Sequence, residues 1–141
     1  MNHDPLLRPA ARLARTASLL VVIDVQERLA PHVLGHEALI ARAEALMSAA
    51  ERFGIPRYAT EHLPDRIGRT IPRLRDRFAS EAIFAKSCFG APGHAEFAAM
   101  LAATGRRQVV LCGMEAHVCV MQTALGLATT APLRSTRIRP P

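Results

Sequence analysis

The sequence has little aromatic material. It contains no tryptophan, one tyrosine and five phenylalanines, and aromatic residues make up only 4% of its 141 residues. Half of the chain is nevertheless hydrophobic, so the core must be built mostly from alanine, leucine, valine and isoleucine. A chain of this length and composition is typical of one packed domain, and it is too apolar for wholesale disorder.

Long apolar runs are also missing. Residues 19–23 (LLVVI) form the longest candidate near the N-terminus, and Asp24 ends the run. A membrane span needs about 18 apolar residues, and the apolar part of a signal peptide needs about 7–15. We therefore expect no membrane partner and a cytoplasmic protein, with an arginine-rich transit peptide as the alternative interpretation of the first residues.

Cysteine is scarce and irregularly spaced. Cys88, Cys112 and Cys119 form no CxxC pair and no cysteine–histidine metal spacing. An odd number of cysteines without a signal peptide argues against a disulfide framework. Free thiols are the expected state.

The charge is one-sided, with a formal net charge of +6. Basic chains can bind nucleic acid through its phosphates, but no aromatic platform, zinc motif or basic recognition helix accompanies the charge, so we expect no nucleic-acid partner. Of the 18 basic residues 17 are arginine, and the single lysine is Lys86. Its presence at a predicted strand end reflects either chance or a function that needs a compact ammonium group.

Apolar runs and helical periodicities alternate along the chain as β-α-β-α-β-α-β-α. With right-handed crossovers, this order predicts an α/β fold with an open, mostly parallel sheet and helices on both faces. Residues 61–70 are predicted as a loop, and the last helix is apolar on most sides, which predicts that it lies buried. The predicted strands are residues 19–23, 55–60, 82–86 and 108–112, and the predicted helices are residues 37–53, 71–78, 94–103 and 117–128.

Composition divides the chain into three parts. Residues 1–17 are predicted as a flexible basic leader, residues 18–128 as the domain, and residues 129–141 as a tail. The tail (TTAPLRSTRIRPP) has three arginines, three prolines and no acid, and it shows neither strand nor helix periodicity. We expect it to be loosely attached.

Three chemically active side chains fall at the carboxyl ends of predicted strands, where open parallel sheets bind ligands. Asp24 follows the first strand, Lys86 ends the third, and Cys119 opens the helix after the fourth. Each also has a purely structural interpretation: a turn former, a solvated lysine, or a small buried hydrophobe. Together they can act as base, cation and nucleophile, because an ammonium group and a helix N-terminus lower the pKa of a thiol.

Three separated motifs, LLVVIDVQ, AKSCF and GMEAHVCV, resemble those of the isochorismatase-like cysteine hydrolases. The resemblance covers residues 18 to about 128. It implies a Rossmann-like sheet whose order begins 3-2-1-4. The family fold normally continues with two more strands and a helix where the basic tail begins here, so the resemblance implies a C-terminally truncated domain.

The resemblance also implies roles for particular residues. Cys119 would be the nucleophile, Asp24 the general base and acid, and Lys86 the group that stabilises both charges. A cis peptide would join Met114 and Glu115, with the amides of Glu115 and Cys119 as oxyanion donors. The residues matching the substrate pocket are Gln26, His62 and Phe89.

The implied reaction is hydrolysis of a small amide through a thioester, without a cofactor. Nicotinamidases of the family carry an Asp and His metal cluster after the second strand, but the segment TEHLPDRIG has His62 alone, a poor site, so no metal is expected. His117 is interpreted as a helix-start residue. A homo-oligomer is expected, and the alternatives are a non-catalytic binding protein or a vinyl-ether hydrolase acting on isochorismate.

Overall fold

The computed structural model describes residues 12–130. Four parallel strands form one sheet in the order β3-β2-β1-β4, which confirms the predicted α/β class and sheet order. The strands are β1 (Ser18–Ile23), β2 (Arg57–His62), β3 (Ile83–Lys86) and β4 (Gln108–Gly113). The helices are α1 (His36–Arg52), α2 (Pro64–Ile67), α3 (Pro72–Arg75), α4 (Ala95–Thr104) and α5 (Met121–Thr130).

The central strand β1 is buried along its whole length, as expected for an apolar run without alternation. Leu20 and Val22 pack into a cluster with α1 and α3, whereas Leu19, Val21 and Ile23 pack on the opposite face with α4 and the segment around Cys119. Burying each such side chain stabilises the fold by about 1.5–3 kcal/mol. The prediction of helices on both faces is therefore confirmed.

Helix α1 combines an apolar face with an acidic one. Its buried residues recur at helical spacing: Ile40, Ala43, Met47 and Ala50. The acids recur every seventh residue along another face and contact arginines of the segment around α3: Glu37 and Glu44 pair with Arg73, and Glu51 pairs with Arg77. The hydrogen bond from Arg73 lowers the pKa of Glu44 below its usual value. These ion pairs fix α3 against α1.

Three predicted segments differ from the structure. The second strand was predicted at residues 55–60 but begins at Arg57 and extends to His62, because Pro56 has no N–H to donate to the ladder. The loop predicted at residues 61–70 contains the short helix α2. The helix predicted at residues 71–78 ends at Arg75, since the amide of Phe78 bonds to the carbonyl three residues back, which tightens the chain into a turn.

The last helix is only partly buried, so the prediction of a buried helix was wrong. A π-helical turn (Ala116–Val120) precedes α5. Thr123 is fully buried and its hydroxyl accepts the Ala91 amide at 3.1 Å, but Met121 and Leu125 are 44% and 56% exposed. An apolar sequence on all sides does not say which side is covered, and here α5 packs through one side only.

The predicted leader and tail are visible only in part. Residues 1–11 and 131–141 lie outside the described residues, and α5 continues to Thr130, two residues past the predicted end of the domain. Within residues 12–130, no helix combines the length and the hydropathy that crossing a bilayer requires.

Candidate active site

The two charged side chains predicted at the rim of the sheet contact each other. Lys86 Nζ donates to Asp24 Oδ2 at 2.8 Å, and both side chains are fully buried. Strand β2 lies between the strands that carry them, and its Thr60 hydroxyl donates to Asp24 Oδ1 at 2.7 Å. The carboxylate is therefore held on both of its oxygens. Thr60 was missed by sequence reasoning, because a threonine within a strand is ordinary and its partner is remote in the chain.

The ammonium group of Lys86 uses all three of its hydrogens. Besides Asp24 it donates to the carbonyl oxygens of Cys88 and Phe89, each at 3.0 Å. An ammonium group has three donors and no acceptor, so this set satisfies it completely. The position of the charge is thus fixed, as a buried ion pair requires.

Backbone strain marks the same rim. Asp24 and Leu63 are the non-glycine residues with positive φ among the described residues, at 47° and 41°. They directly follow β1 and β2. Residues in this region cost about 1–3 kcal/mol each and concentrate at functional sites. With this backbone conformation, the side chain of Asp24 reaches across the end of β2 and contacts Lys86.

The turn after β4 brings the cysteine to the rim. Gly113 has φ 134°. The backbone amide of the next residue, Met114, donates to the carbonyl oxygen of Ile23 at 2.9 Å. The bond from Met114 to Glu115 is cis. Within the described residues, the Glu115 amide has no hydrogen-bond acceptor. The π-helical turn that follows carries Cys119, 6% exposed, into the cluster that contains Ile23.

Replacing Gly113 by alanine is expected to disrupt this turn. A Cβ at Gly113 would overlap the backbone nitrogen, carbon and oxygen of Ile23, and the positive φ disfavours any L side chain. We expect a loss of at least about 3 kcal/mol in the free energy of unfolding, as for other strained and overpacked sites. Urea unfolding measures it. Gly105→Ala is the matched control, because Gly105 also has positive φ but its Cβ would meet nothing, and an equal loss there would contradict the clash.

The electrostatics of Cys119 differ from the prediction. Burial, then a hydrogen bond to Asp24 and the charge of Asp24, raise the pKa of Cys119 to about 12, and the opposing effect of Lys86 is smaller. The expectation of a lowered thiol pKa was therefore wrong, because burial and the Asp24 carboxylate outweigh the effect of Lys86. This direction favours the neutral form of the thiol at neutral pH.

Gln26 sits beneath the rim rather than pointing freely into it. Its amide donates to the carbonyl oxygens of His62 at 3.0 Å and Gly68 at 2.6 Å, and its oxygen accepts the His62 amide at 2.7 Å. The side chain is fully buried. These bonds occupy both amide hydrogens, so in this structure Gln26 holds the segment after β2 in place. Contact with substrate stays a prediction.

His62 and Phe89 lie together beside the ion pair. Their ring centroids are 5.2 Å apart with an interplanar angle of 32°, and Phe89 is 55% exposed. His62 Nδ1 is buried without a hydrogen-bond partner among the described residues. His117 is exposed, and its Nε2 lies 3.9 Å from Glu115 Oε2. The rings of His62 and Phe89 thus lie next to Lys86, whose ammonium group donates to the Phe89 carbonyl.

Among residues 12–130, no three histidine, cysteine or acidic side chains converge as they would around a metal ion. The three cysteines are free thiols. Among the described residues, the groups at the rim are thus a carboxylate, a fixed ammonium, a thiol and a backbone amide without an acceptor. The parallel four-stranded sheet places the chain in the α/β class.

Within that class the chain belongs to the isochorismatase family, because the isochorismatase domain model matches residues 18–130. It is 33% identical over 115 residues to isochorismatase domain-containing protein 1 of Danio rerio, covering 82% of this chain and 40% of the relative. The chain thus spans less than half the length of that relative.

Solved structures show the same relationship. The MAR1 ribonuclease of Caenorhabditis elegans matches with a TM-score of 0.74 and 33% identity, over 84% of this chain and 61% of that one. The YcaC gene product of Escherichia coli, an octameric hydrolase of unknown specificity, matches with a TM-score of 0.80 and 24% identity, over 86% and 62%. At that identity the second match supports the fold alone.

Proposed function

We propose that the protein is a hydrolase that cleaves the C–N bond of a small amide through a thioester on Cys119. The observation that carries the proposal is the fully buried Asp24–Lys86 pair at 2.8 Å, whose carboxylate, after burial, contributes to raising the pKa of the Cys119 thiol. A buried ion pair is costly unless its geometry is excellent. Its position against a thiol at the carboxyl edge of the sheet is the arrangement that nucleophilic catalysis needs.

The first half of the reaction transfers the thiol proton to Asp24 while sulfur attacks the amide carbon. The carbonyl oxygen becomes an oxyanion, which the amides of Glu115 and Cys119 would stabilise. Collapse of the tetrahedral intermediate breaks the C–N bond, and Asp24 returns the proton to the leaving nitrogen. Ammonia or an amine departs, and the acyl group remains on sulfur as a thioester.

The second half uses water. Asp24 takes a proton from the water as it attacks the thioester carbon, and the C–S bond breaks to release a carboxylic acid. The proton returns to sulfur, so the site is restored without an external reductant or metal. Lys86 stabilises the carboxylate when it is charged and the sulfur when the carboxylate holds the proton.

A second candidate is a non-catalytic protein that binds a small molecule at the same rim. The specific observation in its favour is the raised pKa of Cys119, about 12, because a neutral thiol is a poor nucleophile. The vinyl-ether hydrolysis of isochorismate is a further alternative within the family. Cys119→Ala distinguishes this reaction from amide hydrolysis, because vinyl-ether hydrolysis would not need the thiol.

The experiment is an ammonia-release screen over small primary amides, with isochorismate and single-stranded RNA as additional substrates. We expect amide hydrolysis in the wild type and a loss of at least about a thousandfold in Cys119→Ala, as for other removed nucleophiles. Cys112→Ala is the matched control. Cys112 is also a free thiol, and it lies on β4, the strand that precedes Cys119, but it packs on the other face of the sheet.

Three outcomes would overturn the proposal. Amide hydrolysis that survives Cys119→Ala would remove the thioester. Turnover of isochorismate or RNA without any amide hydrolysis would replace the substrate class, and RNA is included because the nematode relative is a ribonuclease. Stoichiometric binding without turnover would favour the binding protein.

We also propose that the protein self-associates, by analogy with the octameric fold neighbour. Met121 and Leu125 of α5 are among the exposed large apolar side chains of the described residues that could make such a contact. Sedimentation equilibrium of the full chain measures the assembly.

A further inference from the structure

A cavity lies at the amino edge of the sheet, opposite the edge that carries the thiol. It has a volume of about 330 Å³ and is bounded by the end of α1, the start of β2 and the segment that precedes β3. We call it the amino-edge cleft and define it by Glu51, Ile55, Arg57, Arg77 and Phe78. Strand β2 has six residues, so at about 3.3 Å per residue it separates Arg57 from His62 by roughly 17 Å.

Two guanidinium groups converge on one carboxylate oxygen in this cleft. Arg57 Nη1 and Arg77 Nη2 each lie 3.3 Å from Glu51 Oε2. The arginine side chains are 22% and 27% exposed, whereas that of Glu51 is 61% exposed. Two sheltered cations therefore share one acid that extends into solvent, and the cleft keeps an excess of one positive charge.

The neighbouring acid is bound chiefly by another arginine. Glu44 pairs with Arg73 at 2.6 Å, whereas toward Arg77 it offers its backbone carbonyl at 3.2 Å and a weaker charge interaction. Arg77 also donates to the Ser48 hydroxyl at 3.0 Å, which holds its fork in place. Arg57 has five N–H donors, and within residues 12–130 its guanidinium bonds only to Glu51.

The rest of the wall is apolar. It is formed by Ile55, Pro56, Phe78, Ala79 and Ala82. Clefts of about 300–1,000 Å³ that combine apolar walls with a few converging polar groups are typical small-molecule sites. An apolar floor beneath a pair of arginine forks suits a ligand with a hydrocarbon body and one planar anionic end.

We propose that the amino-edge cleft binds a small organic carboxylate. Its carboxylate lies between Arg57 and Arg77, where guanidinium forks make paired charge-assisted hydrogen bonds, and its hydrocarbon part lies against Ile55 and Phe78. Glu51 occupies the anion position when no ligand is present and swings outward when one binds. Because the cleft and the thiol are at opposite edges of the sheet, this site does not depend on the proposed hydrolase activity.

The probe is sodium benzoate, with benzamide as its neutral counterpart of the same shape and inorganic phosphate as an anion without an apolar body. Each is titrated at constant ionic strength into the full ¹⁵N-labelled chain. We expect benzoate to shift the amide resonances of Gly54, Ile55, Arg57 and Phe78 saturably. Benzamide and phosphate should bind at least about tenfold more weakly, since each lacks one of the two matching features.

Two variants are expected to change the affinity for benzoate in opposite directions. Arg57→Gln should weaken benzoate binding about tenfold or more, whereas Glu51→Gln should tighten it severalfold because it removes the competing carboxylate. Arg42→Gln is the matched control, an exposed arginine of α1 outside the cleft. Urea unfolding of each variant verifies that the fold persists.

Four results would overturn the site. The absence of a saturable shift with benzoate would make the arginines an ion-pair network only. Equal binding of benzoate and benzamide would remove the role of charge, and phosphate binding as well as benzoate would remove the role of the apolar wall. Weaker binding by Glu51→Gln would mean that Glu51 does not compete with the ligand.

Discussion

Replacing Lys86 by methionine is expected to lower the free energy of unfolding by about 3–5 kcal/mol, the range measured when one partner of a buried ion pair is removed. Methionine keeps the length of the side chain but leaves the fully buried carboxylate of Asp24 without its counterion. It also leaves the carbonyl oxygens of Cys88 and Phe89 without their donor. Urea unfolding at neutral pH measures the loss, and amide hydrolysis should vanish in parallel.

A double variant separates charge from packing. Asp24→Asn combined with Lys86→Met removes both charges, and we expect it to recover more than half of the stability that Lys86→Met loses. The Thr60 hydroxyl can still donate to the amide oxygen of the new side chain. If the double variant were less stable than Lys86→Met, the pair would not be coupled as the geometry indicates.

Alkylation of Cys119 is expected to be slow at neutral pH and to accelerate steeply with pH. The pKa of the thiol is raised to about 12, and below its pKa the thiolate fraction grows about tenfold per pH unit. Iodoacetamide labelling between pH 7 and 9.5, followed by peptide mass spectrometry, measures the rate at each cysteine. A rate at Cys119 that levels off below pH 8.5 would contradict a neutral resting thiol.

Asp24→Asn should make the alkylation of Cys119 faster at neutral pH. Burial, the largest cause of the raised pKa of Cys119, persists in the variant. The variant removes the contribution of Asp24, which also raises this pKa, and it retains Lys86, which lowers it. The thiolate then becomes the counterion of the ammonium group, so labelling at pH 7 should rise by at least about tenfold. Hydrolysis should nevertheless be lost, because no carboxylate remains to carry the proton. Cys112, whose pKa burial raises to about 11, is the internal control and should not change.

The parts of the site that sequence alone could locate are those fixed by topology. Carboxyl ends of parallel strands meet at one edge, so the order of the elements is enough to place Asp24 and Lys86 at the same rim, and the structure brings them to 2.8 Å. The catalytic roles of these residues and of Cys119 stay predictions that the experiments above address.

Other features depend on distances that no local pattern encodes. Thr60 acts through a partner 36 residues away and does not stand out from an ordinary strand residue. Gln26 was named through the resemblance, but its bonds to His62 and Gly68, 36 and 42 residues away, have no local signal in the sequence. The direction of the Cys119 pKa shift depends on a balance between burial and two opposite charges, and the sequence supplies the charges but not the burial. The exposed side of α5 likewise depends on which neighbours reach it.

The complete burial of β1 keeps the residue that follows it, Asp24, in a fixed position at the carboxyl edge of the sheet. A strand covered on both sides and paired with β2 and β4 is the part of a protein whose amide hydrogens exchange only when the whole molecule opens. Asp24 is the next residue along that strand, and its own amide is bonded to Thr60. Fluctuations in the surrounding loops therefore do not change the position of the Asp24 carboxylate. Substitutions in those loops can alter which ligand binds without changing the orientation of this side chain.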